Sequence, residues 1–208
     1  EVRVSHPFLR SLILTCCVFA APLALGANAP FRASNGMVVS QNDIASRIGV
    51  AVLEEGGSAV DAAGATPFAL AATHPPAGNS GGGEFLFCRP AKGKPVAYDF
   101  RETAPTGSHP EMWLEDGEYS FQRHHMSHMS VGVPGTVAGL YMAWQDEGEL
   151  PWKRLVEPAV ALARDGIVVT HGLAASLERV LPRMRKYPAS VAQFSRNGEP
   201  YQPGDLLV

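Results

Sequence analysis

The stretch Asp99-Phe100-Arg101-Glu102-Thr103-Ala104-Pro105 decides the fold of this chain and contains its main candidate binding residue. This heptapeptide follows a predicted strand over residues 96–100 and ends in a turn at its proline. Arg101 therefore lies at a strand end, and its guanidinium can bind a carboxylate through two parallel hydrogen bonds in a planar fork. Asp99 and Glu102 are possible structural partners. Taken alone, the heptapeptide favours an ordinary salt-bridged arginine.

The segment before the heptapeptide predicts a β hairpin preceded by a glycine-rich loop. Strands are expected over residues 84–88 and 96–100, with a turn at Lys92-Gly93-Lys94. The glycine loop, residues 77–83, connects a helix to a strand. A phosphate-binding P-loop runs from strand to helix and ends in Gly-Lys-Ser/Thr. The order and the missing lysine favour a loop that packs through its backbone.

Helices are predicted on both sides of the hairpin. Upstream, a short strand over residues 33–39 precedes a helix with an N-cap at Ser40 and an end at Gly56-Gly57. The apolar face of this helix is predicted to contain Ile44, Ile48, Ala51 and Val52. A second capping box at residues 58–61 starts an alanine-rich helix, which Pro67 should kink or restart and Pro75-Pro76 should end.

Downstream of the hairpin, residues 106–133 are expected to be irregular and polar. A helix is predicted over residues 136–147, closed by Gly148. A second helical stretch opens at Pro151, is re-initiated at Pro158 and ends at Gly166. Residues 171–186 form a further amphipathic helix. Helices gathered around a hairpin are typical of a layered α/β (α+β) fold.

Composition excludes some classes of function. The chain has 208 residues, a formal net charge of −3 and a pI near 6.2, so it has no basic surface of the kind that nucleic acid requires. Nothing in it resembles a polybasic membrane patch. The length is sufficient for one domain with a substantial core.

Residues 1–29 are predicted to be a secretory signal peptide. A weakly basic start (Arg3, His6, Arg10) precedes an uncharged apolar run over residues 11–25. Ala27-Asn28-Ala29 has the small-x-small pattern that precedes cleavage. The alternative, a membrane anchor, is disfavoured because the run is short and interrupted. We therefore expect an exported protein, periplasmic or extracellular, with no stable membrane span after cleavage.

The mature chain is then a single domain over residues 30–208. Cys88 is its only cysteine, which excludes an internal disulfide. The first residue is Glu1, and no closing signal follows Asp205-Leu206-Leu207-Val208. Both features favour a truncated sequence.

Two other groups of residues are candidates for chemistry. His124, His125 and His128 include an i, i+4 pair that could bind metal on a helix, but the segment lacks a helical pattern and favours a solvated loop. Thr170 could be a nucleophile, but its place before a helix favours an N-cap.

Five segments, in order, resemble those of the γ-glutamyltransferase family, also called γ-glutamyltranspeptidase or glutathione hydrolase. The resemblance covers residues 35–208 and corresponds to the N-terminal part of the family's large subunit. The segments are Gly56-Gly57-Ser58-Ala59-Val60-Asp61-Ala62-Ala63, residues 78–85, the heptapeptide, Val131-Gly132-Val133-Pro134-Gly135-Thr136-Val137-Ala138-Gly139-Leu140, and the run from Leu150-Pro151-Trp152 through Glu157-Pro158-Ala159 to Gly166. Five ordered motifs are far more specific than any one of them.

The resemblance implies an N-terminal nucleophile hydrolase fold, a four-layered αββα sandwich that this chain contains only in part. In this family a precursor cleaves itself, and the new N-terminal threonine of the small subunit attacks a γ-glutamyl amide. The acyl group of glutathione or a related compound then passes to water, an amino acid or a peptide, without metal or organic cofactor. Arg101 matches the arginine that grips the substrate α-carboxylate. No threonine of this chain matches the nucleophile, so the resemblance implies no catalytic residue here and a small subunit as partner.

Four residues depart from the family pattern. Ser80 replaces an apolar residue and Glu84 a glycine in the glycine loop, whereas Gly64 and Pro67 weaken the second helix. Two alternatives remain open at this stage. One is a related acylase acting on cephalosporin or glutaryl amides, and the other is an inactive, truncated exported domain.

Overall fold

The computed structural model describes residues 30–78 and 80–208, and the chain divides into two units at Met37. Residues 30–37 contain no helix or strand, and residues 38–208 form one compact unit. The signal peptide predicted over residues 1–29 lies outside the described residues. The strand predicted over residues 33–39 is wrong, because this segment pairs with no strand in the described part of the chain and a strand needs a hydrogen-bonded neighbour.

The first helix, α1 (Asp43–Glu54), ends at the predicted glycine pair but begins on a different side chain from the one predicted. Its N-cap is Asn42, whose side chain accepts hydrogen bonds from the backbone N–H groups of residues 44 and 45, so the prediction of Ser40 as N-cap is wrong. The Ser40 hydroxyl instead donates to the Asn42 carbonyl at 2.8 Å. At the other end Gly56 has φ +90°, and Gly57 N–H donates to the Val52 carbonyl at 2.9 Å. This is the Schellman ending that two successive glycines favour.

The second helix, α2 (Ala59–Thr73), starts with the predicted capping box between Ser58 and Asp61. Asp61 is fully buried, and its Oδ2 also accepts from the backbone N–H groups of Glu149 and Leu150 at 2.9 and 3.2 Å. The expectation that Pro67 restarts the helix is wrong, because α2 continues through it. Proline removes one helical hydrogen bond, and packing of α2 against α1 and a later helix compensates for the loss.

The hairpin has the predicted position. Strands β1 (Phe85–Cys88) and β2 (Val96–Asp99) pair antiparallel, from Phe85 opposite Asp99 to Cys88 opposite Val96. Gly93 has φ +99° in the connecting turn. Because side chains alternate along a strand, one face of the hairpin turns toward the helices and the other stays exposed. Phe85 and Phe87 lie on the exposed face, with 51% and 77% of their surface accessible.

Residues 106–133 are more regular than predicted. They form two short 3₁₀ turns (Pro110–Trp113 and His128–Ser130), the paired strands β3 (Leu114–Glu115) and β4 (Glu118–Tyr119), and the helix α3 (Phe121–Met126). These elements are held by short-range bonds such as Arg123 Nη1 to the Leu114 carbonyl at 2.7 Å. Such local pairs leave little periodicity in the sequence.

The remaining elements are α4 (Thr136–Glu147), α5 (Trp152–Asp165), β5 (Ile167–Val168), α6 (His171–Met184), α7 (Pro188–Phe194) and β6 (Leu206–Leu207). Helix α4 has the predicted bounds. Helix α5 runs without a break through Pro158, so the predicted re-initiation there is wrong, and Gly166 ends it with φ +83°. Thr170 caps α6, as expected, by accepting from the Leu173 N–H at 3.2 Å. Helix α7 and the β5–β6 pair are not predicted by the sequence.

The main core lies between the inner face of the hairpin and a layer of helices. It joins residues of α2, of β2 and the residue after it, and of α4: Val60, Phe68, Tyr98, Phe100, Leu140 and Ala143. Cys88 is half-buried against this cluster. A second cluster packs α6 against β5 and β6. Among the described helices, none combines the length and the apolar composition needed to cross a membrane.

Candidate active-site region

Three sequence motifs meet at the end of β2. The carbonyl of Gly82, in the glycine loop, accepts hydrogen bonds from the N–H groups of Gly135 and Thr136 at 2.9 and 3.0 Å. Thr103 of the heptapeptide exchanges two backbone hydrogen bonds with Val133, at 3.2 and 2.8 Å. The glycine loop, the heptapeptide and residues 131–136 therefore form one hydrogen-bonded unit.

Two glycines of this unit are required by close backbone approach. A Cβ atom on Gly83 would overlap the backbone N of Glu102, and one on Gly135 would overlap the Phe100 carbonyl oxygen. Real Cβ atoms do not make such contacts, so the backbones can pack this closely only without side chains. The prediction that the glycine loop packs through its backbone is confirmed.

Phe100 anchors the heptapeptide. Its side chain is 6% exposed and lies in the main core, and its ring occupies the space that a Cβ on Gly139 of α4 would need. Its N–H donates to the Glu84 carbonyl at 3.1 Å. A fixed ring at position 100 holds the backbone of the next residue, Arg101, at the surface.

Arg101 makes the salt bridge that the heptapeptide allows. Its Nε and Nη2 donate to the two carboxylate oxygens of Glu102 at 3.1 and 3.2 Å, and its backbone N–H donates to Asp99 at 3.2 Å. The Arg101 side chain remains 55% exposed. The pKa of Glu102 is held below its usual range, first by a hydrogen bond from its own backbone and also by Arg101. The role of Arg101 as a substrate clamp stays a prediction.

A cleft begins beside this ion pair. It has a volume of about 410 Å³ and is lined by residues 102–105, 108–110, 112–113 and 129–132. Small-molecule sites commonly have volumes of about 300–1,000 Å³. Sequence reasoning missed the cleft, because its walls come from stretches that only the folded chain brings together.

The histidine segment lies behind one wall of this cleft. His124 and His125 lie on α3, whereas His128 lies beyond its end in a 3₁₀ turn, so the expected loop is partly helical. The His124 ring is centred 4.6 Å from that of Trp113, and its Nδ1 is 2.9 Å from the Tyr119 hydroxyl. Within residues 30–78 and 80–208, no group of three or more His, Cys, Asp or Glu side chains is arranged to hold a metal ion.

Glu84, one of the departures from the family pattern, faces a small apolar cavity. The cavity, about 160 Å³, is also lined by Pro67 and Leu70 of α2 and by Thr136. Partial desolvation raises the pKa of Glu84 above its usual value, although the residue as a whole is exposed. No ion pair of Glu84 is found with any described residue. Ser80 lies at a separate cavity beside α5 and α7.

Comparison with known proteins identifies the family. The family model described as Gamma-glutamyltranspeptidase matches residues 45–208. The chain is 45% identical to the glutathione hydrolase proenzyme of Escherichia coli (strain K12), over 86% of this chain and 31% of that protein. It therefore spans about a third of the length of this curated relative.

Solved structures show the same relationship. The γ-glutamyltranspeptidase of Helicobacter pylori is 39% identical with a TM-score of 0.83, covering 86% of this chain and 52% of that one. A cephalosporin acylase from Bacillus halodurans, 24% identical with a TM-score of 0.72 over 88% of this chain and 36% of its own, shares the fold alone. The fold is the α/β (α+β) N-terminal nucleophile hydrolase type, of which the described residues supply helices packed on one face of a hairpin. The chain belongs to the γ-glutamyltranspeptidase family.

Proposed function

We propose that this chain is the N-terminal part of the large subunit of an exported enzyme that cleaves γ-glutamyl amides, with glutathione among its substrates. The proposed acceptors of the γ-glutamyl group are water and amino acids or short peptides. The relatives named glutathione hydrolase support the substrate class. This chain would supply the binding of the substrate α-carboxylate.

The proposed reaction has two steps. A threonine hydroxyl, freed at the N-terminus of a small subunit by self-cleavage, attacks the γ-carbonyl carbon, and its own α-amine takes the proton. The C–N bond breaks, the leaving amine receives that proton, and a γ-glutamyl ester remains. Water or an acceptor amine then attacks the ester and restores the hydroxyl. The proposed chemistry uses no metal or organic cofactor.

The observation that carries the proposal is the bidentate ion pair at Arg101. Its fork already binds a carboxylate through Nε and Nη2, which is the geometry a substrate carboxylate would use. Glu102 is its immediate neighbour, so a substrate can displace this carboxylate without moving the backbone. The anchored Phe100 keeps the guanidinium at the surface next to the cleft.

Turnover of a chromogenic amide by the full-length gene product tests the proposal. We expect nitroaniline release from γ-glutamyl-p-nitroanilide after self-cleavage, and a smaller fragment that begins with threonine. Glutaryl-p-nitroanilide, which keeps the terminal carboxyl group but lacks the α-amino group, should be a far poorer substrate. An intact, self-cleaved protein that releases no nitroaniline, or that prefers the glutaryl amide, would contradict the proposal.

Export is part of the same proposal. The charge pattern and the Ala27-Asn28-Ala29 site support cleavage after residue 29 and a periplasmic or extracellular location. N-terminal sequencing of the protein recovered outside the cytoplasm should begin at Pro30. A protein that keeps residues 1–29 and stays in the cytoplasm would rule this out.

A further inference from the structure

We propose that the cleft beside Arg101 binds the amine-bearing partner of the transfer and selects amino acids or short peptides with aromatic or large apolar side chains. This inference rests on the proposed function and adds to it a preference and the residues that determine it. The cleft is the surface lined by residues 102–105, 108–110, 112–113 and 129–132.

The position of the cleft follows from Glu102. Glu102 both binds Arg101 through its carboxylate and lines the cleft. The guanidinium contacts the Glu102 carboxylate at 3.1 and 3.2 Å, so a group that replaces this carboxylate lies beside a residue that lines the cleft. A γ-glutamyl compound with its α-carboxylate at Arg101 therefore has this cleft as the adjoining concave surface for its distal end or for an acceptor.

The walls of the cleft determine what it can hold. Their apolar part comes from Met112 and Trp113 in one stretch of the chain and from Met129 and Val131 in another. An aromatic face and two flexible thioethers stack on rings and adapt to apolar side chains of different shapes. Ser108 and His109 add hydrogen-bonding groups for the polar backbone of an amino acid or peptide. A purely polar ligand would gain little from these walls.

Trp113 is held in place from behind. The His124 ring contacts it at a centroid distance of 4.6 Å and an angle of 37°, and the Tyr119 hydroxyl fixes His124 through Nδ1 at 2.9 Å. A wall that is already ordered loses little conformational freedom when a ligand binds. His124 is therefore a positioning residue that acts through Trp113.

Competition between acceptors in the full-length gene product tests the inference. With γ-glutamyl-p-nitroanilide as donor, kcat/KM is measured for phenylalanine and for glycylglycine. Trp113→Ala should lower the phenylalanine-to-glycylglycine ratio about tenfold, as expected for loss of a large apolar contact. His124→Ala should lower the same ratio less and through KM, not kcat. Phe121→Ala, which removes a ring that is 62% exposed and outside the cleft, should leave the ratio unchanged.

A second variant keeps the test decisive if Trp113→Ala fails to fold. Met129 and Val131 are 43% and 59% exposed, so changing both to alanine removes two apolar lining side chains at little cost to the core. This double variant should also lower the ratio. Normal nitroaniline release with an unchanged ratio in both cases would overturn this inference and leave the proposed function standing. No release even from the unmodified protein would overturn the proposed function, and the inference with it.

Discussion

At the scale of single residues, the candidate site consists of an exposed charged residue, Arg101, that directly follows a buried one, Phe100. Phe100 is fixed between the glycine loop and α4, and Arg101 follows it at the surface. The sequence alone predicted the strand end, the fork and the two acidic partners of Arg101. It could not predict the cleft, since Trp113 and Met129 belong to no motif and the lining segments meet only through folding.

Replacement of Arg101 by lysine in the full-length enzyme should raise KM for γ-glutamyl donors. Lysine keeps the charge but cannot form the planar fork, and such a charge-assisted contact contributes about 1.5–3 kcal/mol. Steady-state kinetics with γ-glutamyl-p-nitroanilide measure the effect. Arg47→Lys is the matched control, because Arg47 pairs with Asp43 on the exposed side of α1. An unchanged KM in Arg101→Lys would contradict the role of Arg101 in binding the substrate α-carboxylate.

Replacement of Glu84 by glutamine should stabilise the chain at pH 8 more than at pH 4. Desolvation raises the pKa of Glu84 in the folded state, so the folded chain binds this proton more tightly than the unfolded chain. Stability is therefore lost as pH rises from the ordinary glutamate pKa, about 4.3, through the raised folded value. Glutamine has no proton to lose. Urea unfolding at pH 4 and pH 8 measures the change in the free energy of unfolding. An equal change at the two pH values would contradict a raised pKa of Glu84.

At the scale of elements, local sequence signals predicted the C-terminal ends of helices more accurately than their interiors. Gly148 and the glycine pair at residues 56–57 end their helices as predicted, because a C-terminal turn is decided locally. Pro67 and Pro158 did not break α2 and α5, because tertiary packing compensates for one lost hydrogen bond. The β5–β6 pair was missed, because it joins Ile167 to Leu207 and has only two residues per strand.

The helix pair α1–α2 offers two glycines with opposite expected effects. A Cβ on Gly64 would lie 3.6 Å from Leu155 Cδ1, an ordinary contact, so Gly64→Ala should stabilise the chain by about 0.5–1 kcal/mol. A Cβ on Gly49 would lie 2.5 Å from Thr66 Oγ1 and 2.8 Å from Val38 Cγ1. Gly49→Ala should therefore destabilise by about 1–3 kcal/mol through overpacking. Urea midpoints of the two variants measure both effects. If both substitutions stabilised the chain, or both destabilised it, α1 and α2 would have to pack differently from the arrangement described.

At the scale of the whole molecule, the helices cover one face of the hairpin and leave the other open. Phe85 and Phe87 stack on that open face with ring centres 6.5 Å apart. In the αββα arrangement of the family, we expect a second strand layer to pack against this face. The sequence predicted the hairpin from the composition of its strands and the turn between them, but neither says which face a separate layer will cover.

Phe85→Ser combined with Phe87→Ser should make the isolated chain less prone to associate but should impair maturation of the full-length gene product. In the chain studied alone, it should reduce self-association measured by light scattering, because it removes exposed apolar surface. In the full-length gene product, it should lower the yield of self-cleaved enzyme, since the layers would lose contact area. Phe121→Ser, also at an exposed ring, is the control. Unchanged self-association of the chain alone, or an unchanged yield of self-cleaved full-length enzyme, would contradict this view of the open face.

The ring of Phe100 also has an evolutionary consequence. The ring fills the space above Gly139, and the backbone carbonyl of Phe100 lies against Gly135, so two glycines of a distant segment are coupled to one residue. A lineage cannot acquire alanine at position 139 first, because the ring blocks it. It could do so after position 100 has shrunk to leucine, so the order of substitutions matters. Divergence at these positions should therefore proceed as paired, compensating changes, and a Phe100→Leu background is where a tolerated Gly139→Ala should first arise.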